Sequence, residues 1–298
     1  MTAVATQAPT GRTTPPVRRR RGQSRKGPLS GRIGIQVMLW LYAVYTLTPL
    51  LLMVSDSLRT QQQMVEQPLG LPTSPNWSAY SQAWIQGNFG TYIRNSVLIT
   101  VTSVVLSTAL SLLAAYPIAR SRKWLFRVIE AFFMSGLMLP VFLAILPIFF
   151  MLDSWGLISN PIGLILVYAA LGIPFSTFVL ASFFRQLPVE LEEAARVDGA
   201  GPWRTFWHVL LPLVRPAIAT VVVFRFVPVW NDFFFPIVLL RQQEWFTIPV
   251  GLTRFFGEHQ SNFSMAFAGL TIATIPLVLL FIVATKQIVA GLTAGMSK

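Results

Sequence analysis

Apolar positions gather in six long blocks along this chain, at about 33–54, 93–116, 129–150, 162–184, 217–240 and 267–290. Each block is close to the roughly 20 residues that an α-helix needs to cross the hydrocarbon of a bilayer. The pattern therefore predicts an all-α integral membrane protein with six transmembrane helices. The second, fourth and sixth blocks are the plainest, and the first carries Pro49 near its end. The third contains Pro140 and Pro147, which predicts a kink or a break. The fifth contains Arg225, Pro228, Asn231 and Asp232 and is the least lipid-like of the six.

Composition agrees with that reading. Hydrophobic residues make up 54% of the 298-residue chain and charged residues 11%, against about 25% charged in an ordinary soluble domain. There is no cysteine, so disulfides and cysteine-bound metals are excluded.

The formal net charge of +12 is unevenly spread. Residues 1–32 hold Arg12, Arg18, Arg19, Arg20, Arg21, Arg25, Lys26 and Arg32 and no acid. This stretch has too few apolar residues to fold by itself. It reads as a disordered basic tail on the anionic cytoplasmic leaflet rather than a nucleic-acid patch. A signal peptide is not expected, because the apolar run from Ile33 is too long and no small-residue cleavage site follows it. If the N-terminus is cytoplasmic, 18 Lys and Arg fall inside and four (Arg59, Arg94, Arg241 and Arg254) fall outside. The positive-inside rule then puts both termini in the cytoplasm. The outer segment 55–92 reads as a loop followed by a short amphipathic helix over NWSAYSQAW (76–84), whose aromatic residues suit the membrane interface.

The cytoplasmic segment 185–216 is the unusual one. Four of the chain's 11 acids, Glu190, Glu192, Glu193 and Asp198, sit within nine residues there. Pro188 suits a helix start, and the glutamates complement the dipole of its first turn. Ala194 and Ala195 leave a low-relief face, and Gly199 can take the left-handed conformation that ends a helix. Pro202 starts a second helix with Trp203, Phe206, Trp207 and Leu210 expected on one side, and Pro212 and Pro216 close it. A short helix of small residues with a charged edge suits insertion into a groove on another protein. A plain solvated connector is the alternative.

These residues also carry a resemblance. Glu193-Ala194-Ala195, then Gly199, Val209, Leu211 and Pro212, match the spacing of the signature of importer permeases of the ATP-binding-cassette (ABC) class. That signature is Glu-Ala-Ala, three residues, Gly, nine residues, Ile, one residue, Leu-Pro; Val209 replaces the isoleucine. NFGTYIRNSVLITVTSVVLSTALSLLAAYPIAR (88–120) is similar to the second span of maltose-type sugar permeases, and WNDFFFP (230–236) to their fifth-span motif. The ending VAGLTAGMSK resembles their C-terminal tail, with Met-Ser-Lys where that tail usually continues Ala-Val-Lys-Gly. Together these cover most of residues 35–298.

The resemblance implies the type I ABC importer permease fold, with a coupling helix between spans four and five, in a bacterial inner membrane. It implies that the chain is the smaller six-span partner of a permease pair. Glu193, Ala194, Ala195, Asp198, Gly199 and Pro212 would then couple it to an ATPase, with Glu193 anchoring the contact. The implied partners are a second permease, two ATP-binding subunits and an extracytoplasmic sugar-binding protein. ATP and Mg²⁺ would sit on the ATPase subunits. The chain has no GxxxxGK[ST] phosphate loop, and its two histidines, His208 and His259, form no HExxH site. No enzymatic role and no bound cofactor or metal are expected.

Polar residues inside a span are costly and usually face a cavity or each other. Arg225, Trp230, Asn231 and Asp232 are therefore candidates for the substrate path, with Trp230 offering a stacking surface for a sugar ring. Arg225 and Asp232 are two helical turns apart and could pair. Bracing of the fifth span against its neighbours is the other reading. Rival functions are an ABC permease for a polyamine or phosphate ester, and an ion-coupled secondary transporter. The latter would need a midplane ion site and repeat symmetry, and neither is visible in the sequence.

Overall fold

A computed structural model describes residues 29–258 and 262–294 of the chain. The basic-tail expectation lies outside the described residues up to position 28. Leu29–Gly31–Arg32 already belongs to the first helix, which begins at Leu29 rather than at 33. The chain divides into two units, residues 1–49 and 50–298. The first holds most of α1 (Leu29–Ser57), whose part Ile33–Ser57 is long and apolar enough to cross a membrane. Within α1 the hydroxyls of Thr46 and Thr48 donate to Tyr42 O and Val44 O, so their polar groups are satisfied inside the helix.

In the second unit, α2 (Gln61–Glu66) and α3 (Ser78–Gln86) precede α4 (Phe89–Arg120). α5 (Trp124–Met138), α6 (Ile145–Ser154) and α7 (Pro161–Gln186) follow. The 185–216 segment contains α8 (Glu190–Val197), α9 (Pro202–Thr205) and α10 (Leu211–Leu213). Last come α11 (Arg215–Asn231), α12 (Phe234–Leu239), α13 (Ile248–Glu258) and α14 (Phe263–Ala294).

α4 packs most extensively against α7. The buried face of α4 repeats every four residues: Asn95, Ile99, Ser103, Ser107, Ser111 and Ala115 are all buried. α7 answers with Gly172, Ser176, Leu180 and Phe184. In lipid, helices gain little from apolar burial against one another, so small side chains that let backbones approach are favoured. The serines of α4 satisfy themselves locally or across the seam: Ser103 Oγ donates to Ile99 O at 2.7 Å and Ser111 Oγ to Ile173 O at 3.3 Å.

Two of the six predicted spans are not single straight helices. Among the described residues, four helices are long and apolar enough to cross a membrane, or up to six if each of two bent pairs is one span. The predicted third span is α5, a 3₁₀ turn at Val141–Ala144 and α6, with a 93° bend between the pieces. Pro140 explains the break. It forces Leu139 into an extended conformation (ψ 131°) and supplies no N–H to continue the ladder. Pro147 causes no break, because it lies in the first turn of α6, where its missing N–H costs nothing. The predicted fifth span, 217–240, stops at Asn231: Asp232 is extended (ψ 128°) and α12 starts afresh. The pair Pro202–Leu213 and Arg215–Asn231 meets at 71°.

Residues 55–92, expected as a loop and then a short helix, hold two helices, α2 and α3. Arg59, 1% exposed, pairs with Asp56 at 2.9 Å and donates to the carbonyls of Gln63, Gln67 and Pro68. α3 buries its small residues Ala79 and Ala83 in a cluster with Phe89 and Met265, leaving Trp77, Trp84 and Ile85 exposed.

Candidate functional site

The three glutamates of α8 fall in its first turn, at the positive end of the helix dipole. The helix begins at Glu190, two residues after the expected Pro188, with Leu191 N reaching Pro188 O at 3.4 Å. It ends as the glycine predicts. Gly199 has φ +79°, Gly199 N donates to Arg196 O and Ala200 N to Ala195 O, which is the paired bonding of a Schellman end. Nothing stands within 4 Å of a β-carbon built at Gly199, so backbone conformation, not space, requires glycine there.

Glu193, Ala194 and Asp198 are exposed, and Val197 beside them is 88% exposed. Ala195 is buried. Glu192 turns the other way. Its Oε1 accepts from Arg120 Nε at 2.6 Å and its Oε2 from the Tyr116 hydroxyl at 2.9 Å. No sequence spacing signals this contact, because its partners lie more than 70 residues away.

The second helix of the segment departs from expectation. After α9 the chain makes a π-helical turn over Phe206–Leu210. Phe206 and Leu210 are buried with Leu180 and Phe184, while Trp203 and Trp207 are exposed. The four apolar residues thus do not share one side: the wider π turn shifts the register between them. Pro212 sits in α10, just before the bend at Val214.

A cavity of about 720 Å³ opens between α5, the Val141–Ala144 turn, α7 and α11. Phe132, Phe142, Pro174 and Phe224 make much of its wall, and Tyr168, Arg225 and Asp232 bring the polar groups. Arg225 and Asp232 do not pair directly. Tyr168 stands between them: Arg225 Nη2 donates to Tyr168 O at 3.2 Å, and the Tyr168 hydroxyl donates to Asp232 Oδ2 at 2.6 Å. Asp232 Oδ1 accepts from Phe234 N at 3.0 Å and so caps α12. Arg225 Nε is buried without a partner among the described residues. The structure does not bring Trp230 or Asn231 to this cavity. Trp230 is buried, stacked on Phe226 (5.5 Å, 12°), and points its N–H at Ala273 O. Asn231 is exposed and bonds back to Val227 O. The site residue missed in the sequence is Tyr168, which reads there as one more aromatic in an apolar span.

Residues 107–297, which include both the 185–216 segment and most of the cavity wall, match the family described as binding-protein-dependent transport system inner membrane component. The chain belongs to this family. The permease is 35% identical over 260 residues to the diacetylchitobiose uptake system permease protein NgcG of Streptomyces coelicolor, covering 87% of this chain and 86% of that one. It is 32% identical to the melibiose/raffinose/stachyose import permease protein MelC of Bacillus subtilis, over 76% of this chain and 83% of that one. Its fold matches a chain of a bacterial ABC transporter involved in the import of the acidic polysaccharide alginate. The TM-score is 0.76 at 27% identity, over 87% of this chain and 98% of that one. The permease is thus an integral membrane component of an ABC import system, as its loop signature implied.

Proposed function

We propose that the permease is the smaller membrane subunit of an ABC importer for a sugar or oligosaccharide. An external binding protein delivers the substrate, and two ATP-binding subunits, which carry the ATP and Mg²⁺, drive its passage. A second, different permease completes the membrane part. The carbohydrate class is supported by the relatives, whose names specify diacetylchitobiose and the melibiose/raffinose/stachyose group. On this reading both bent pairs count as spans, the chain crosses six times, and both termini are cytoplasmic.

The observation that carries the reading is the outward face of α8. Glu193, Ala194 and Asp198 are exposed beside a helix end held by Gly199, on a segment with the family's signature spacing. This face is the dock for the ATP-binding subunit. A contact that differs between the open and closed ATPase pair is what coupling requires. The cavity at Tyr168, Arg225 and Asp232 is this chain's part of the translocation path. Asn231 stands at its edge in sequence, and Trp230 supports it from the α14 side.

The test is Glu193→Ala in the complete transporter. Substrate uptake is expected to fall to background while the variant still inserts in the membrane at the normal level. Unchanged uptake would sink the coupling assignment. Uptake by this chain alone, driven by an ion gradient and indifferent to ATP depletion, would sink the importer reading as a whole.

A further inference from the structure

The 185–216 segment is attached unequally to the helices around it. On one side lies α4. Glu192 uses both carboxylate oxygens on that helix, one for Arg120 and one for Tyr116. Tyr116 and Arg120 are four residues apart and therefore share a helix face. The Arg120 and Glu192 side chains are only 17% and 11% exposed, so solvent screens the pair far less than a surface ion pair. Arg120 also reaches past Glu192 to Leu187 O at 3.0 Å, the residue that ends α7. The Tyr116 ring packs edge-on against Phe184 of α7 at 5.8 Å and against Phe206 at 5.5 Å. One side-chain cluster thus joins α4, the end of α7, α8 and the π turn.

On the other side lies α11, where the contact is apolar: Val214, Ala217 and Val221 are buried with Leu180 and Phe184 of α7. The path from α9 to α11 runs through the π turn at Phe206–Leu210, Pro212, a 71° bend at Val214 and Pro216. π turns and proline-flanked bends interrupt the regular ladder and are where helices yield. Glu190 and Glu193, the neighbours of Glu192, make no ion pair among the described residues.

We infer that Glu192 is a positioning residue for transport: with Arg120 and Tyr116 it fastens the coupling helix to α4 and the end of α7, so that a push on α8 is passed to these two helices. This rests on the coupling-loop reading above and adds to it where the stroke enters the membrane.

The experiment uses the complete transporter in liposomes, with uptake and ATP hydrolysis measured together. In Glu192→Gln and Arg120→Gln the subunits are expected to remain assembled and to hydrolyse ATP, while uptake per ATP falls about tenfold, the scale of an ordinary coupling free energy. The double variant R120E/E192R is expected to recover most of that loss. Uptake per ATP equal to wild type in the single variants would overturn the proposal. So would a double variant no better than the singles. If Glu192→Gln fails to assemble, Tyr116→Phe decides: it removes one hydrogen bond and is expected to lower uptake per ATP roughly threefold, and no change overturns the proposal. The docking reading is checked separately with Val197→Cys, the sole thiol in a cysteine-free chain. If this thiol cross-links to the ATP-binding subunit while Glu192→Gln stays fully coupled, only the fastening is wrong. If it gives no cross-link, the docking reading has failed, and the fastening with it.

Discussion

The hydroxyl of Tyr168 donates to Asp232 at 2.6 Å, tying α7 to the break that follows α11. The second oxygen of the same carboxylate caps α12 through Phe234 N. One side chain thus holds a chain break in register with a neighbouring helix. Asp232→Ala removes both bonds and is expected to cost about 1–3 kcal/mol, the cost of buried groups left unpaired. Asp232→Asn keeps a side-chain oxygen for the Phe234 cap and is expected to cost less. Thermal melting of the detergent-extracted permease reads the order: Ala below Asn, Asn below wild type.

Arg225 separates the two readings of the polar fifth span. It crosses α7 at Gly172, where a built β-carbon would lie 2.9 Å from Arg225 Nε and 2.9 Å from Ser107 Cβ. Its Nε has no partner among the described residues, and a half-buried charge with incomplete bonding is usually a net cost to stability. Arg225→Met is therefore expected to raise thermal stability by about 1 kcal/mol or more while lowering uptake. A destabilised variant with normal transport would mean that Arg225 only braces the helix.

Near the N-terminal end of α4, two rings fill notches left by glycines. A β-carbon at Gly251 would run into the Tyr92 ring, and one at Gly269 into Phe89. Tyr92 and Phe89 are both buried, so neither ring has space to retreat. Gly251→Ala and Gly269→Ala are each expected to destabilise by about 1–3 kcal/mol through overpacking. The check is the melting temperature of each variant against Gly156→Ala. That glycine has open space around it but a positive φ (+67°), so its substitution isolates backbone strain from crowding.

Arg59 organises the segment between α1 and α3 by serving Asp56 and three carbonyls at once. Arg59→Ala leaves those acceptors unpaired and is expected to loosen residues 60–75, at a cost of about 3 kcal/mol or more. Limited proteolysis of intact cells from outside would detect it: new cleavage in this segment is expected in the variant and not in the wild type. Lysine at position 59 keeps the charge but has no planar fork to serve several acceptors, so it is expected to rescue only partly.

Much of the architecture could be read along the chain. Block length announced helices for a membrane, and proline and glycine marked where they end: Gly199 closes α8, and Pro140 breaks the third span. The breaks were harder to size. Pro140 and Pro147 look alike in sequence, yet only Pro140 interrupts, because Pro147 lies in a first turn, where a missing N–H costs nothing. The polar fifth span likewise showed the right residues, Arg225 and Asp232, but not their arrangement.

By itself the sequence determined what depends on neighbours a few residues away: the apolar runs, the end of α8, the spacing of Glu193, Gly199 and Pro212, and the asymmetry of positive charge. Only the tertiary structure decided what depends on partners far along the chain. Glu192 and Glu193 are adjacent and chemically identical, but a step of one residue turns the side chain by about 100°. One therefore meets Tyr116 and Arg120 and the other faces outward. Tyr168 became part of the cavity, and Trp230 left it, for the same reason. The face a helical residue presents follows from how the helices pack, and packing in a membrane is set by the close fit of surfaces rather than by any single run of sequence.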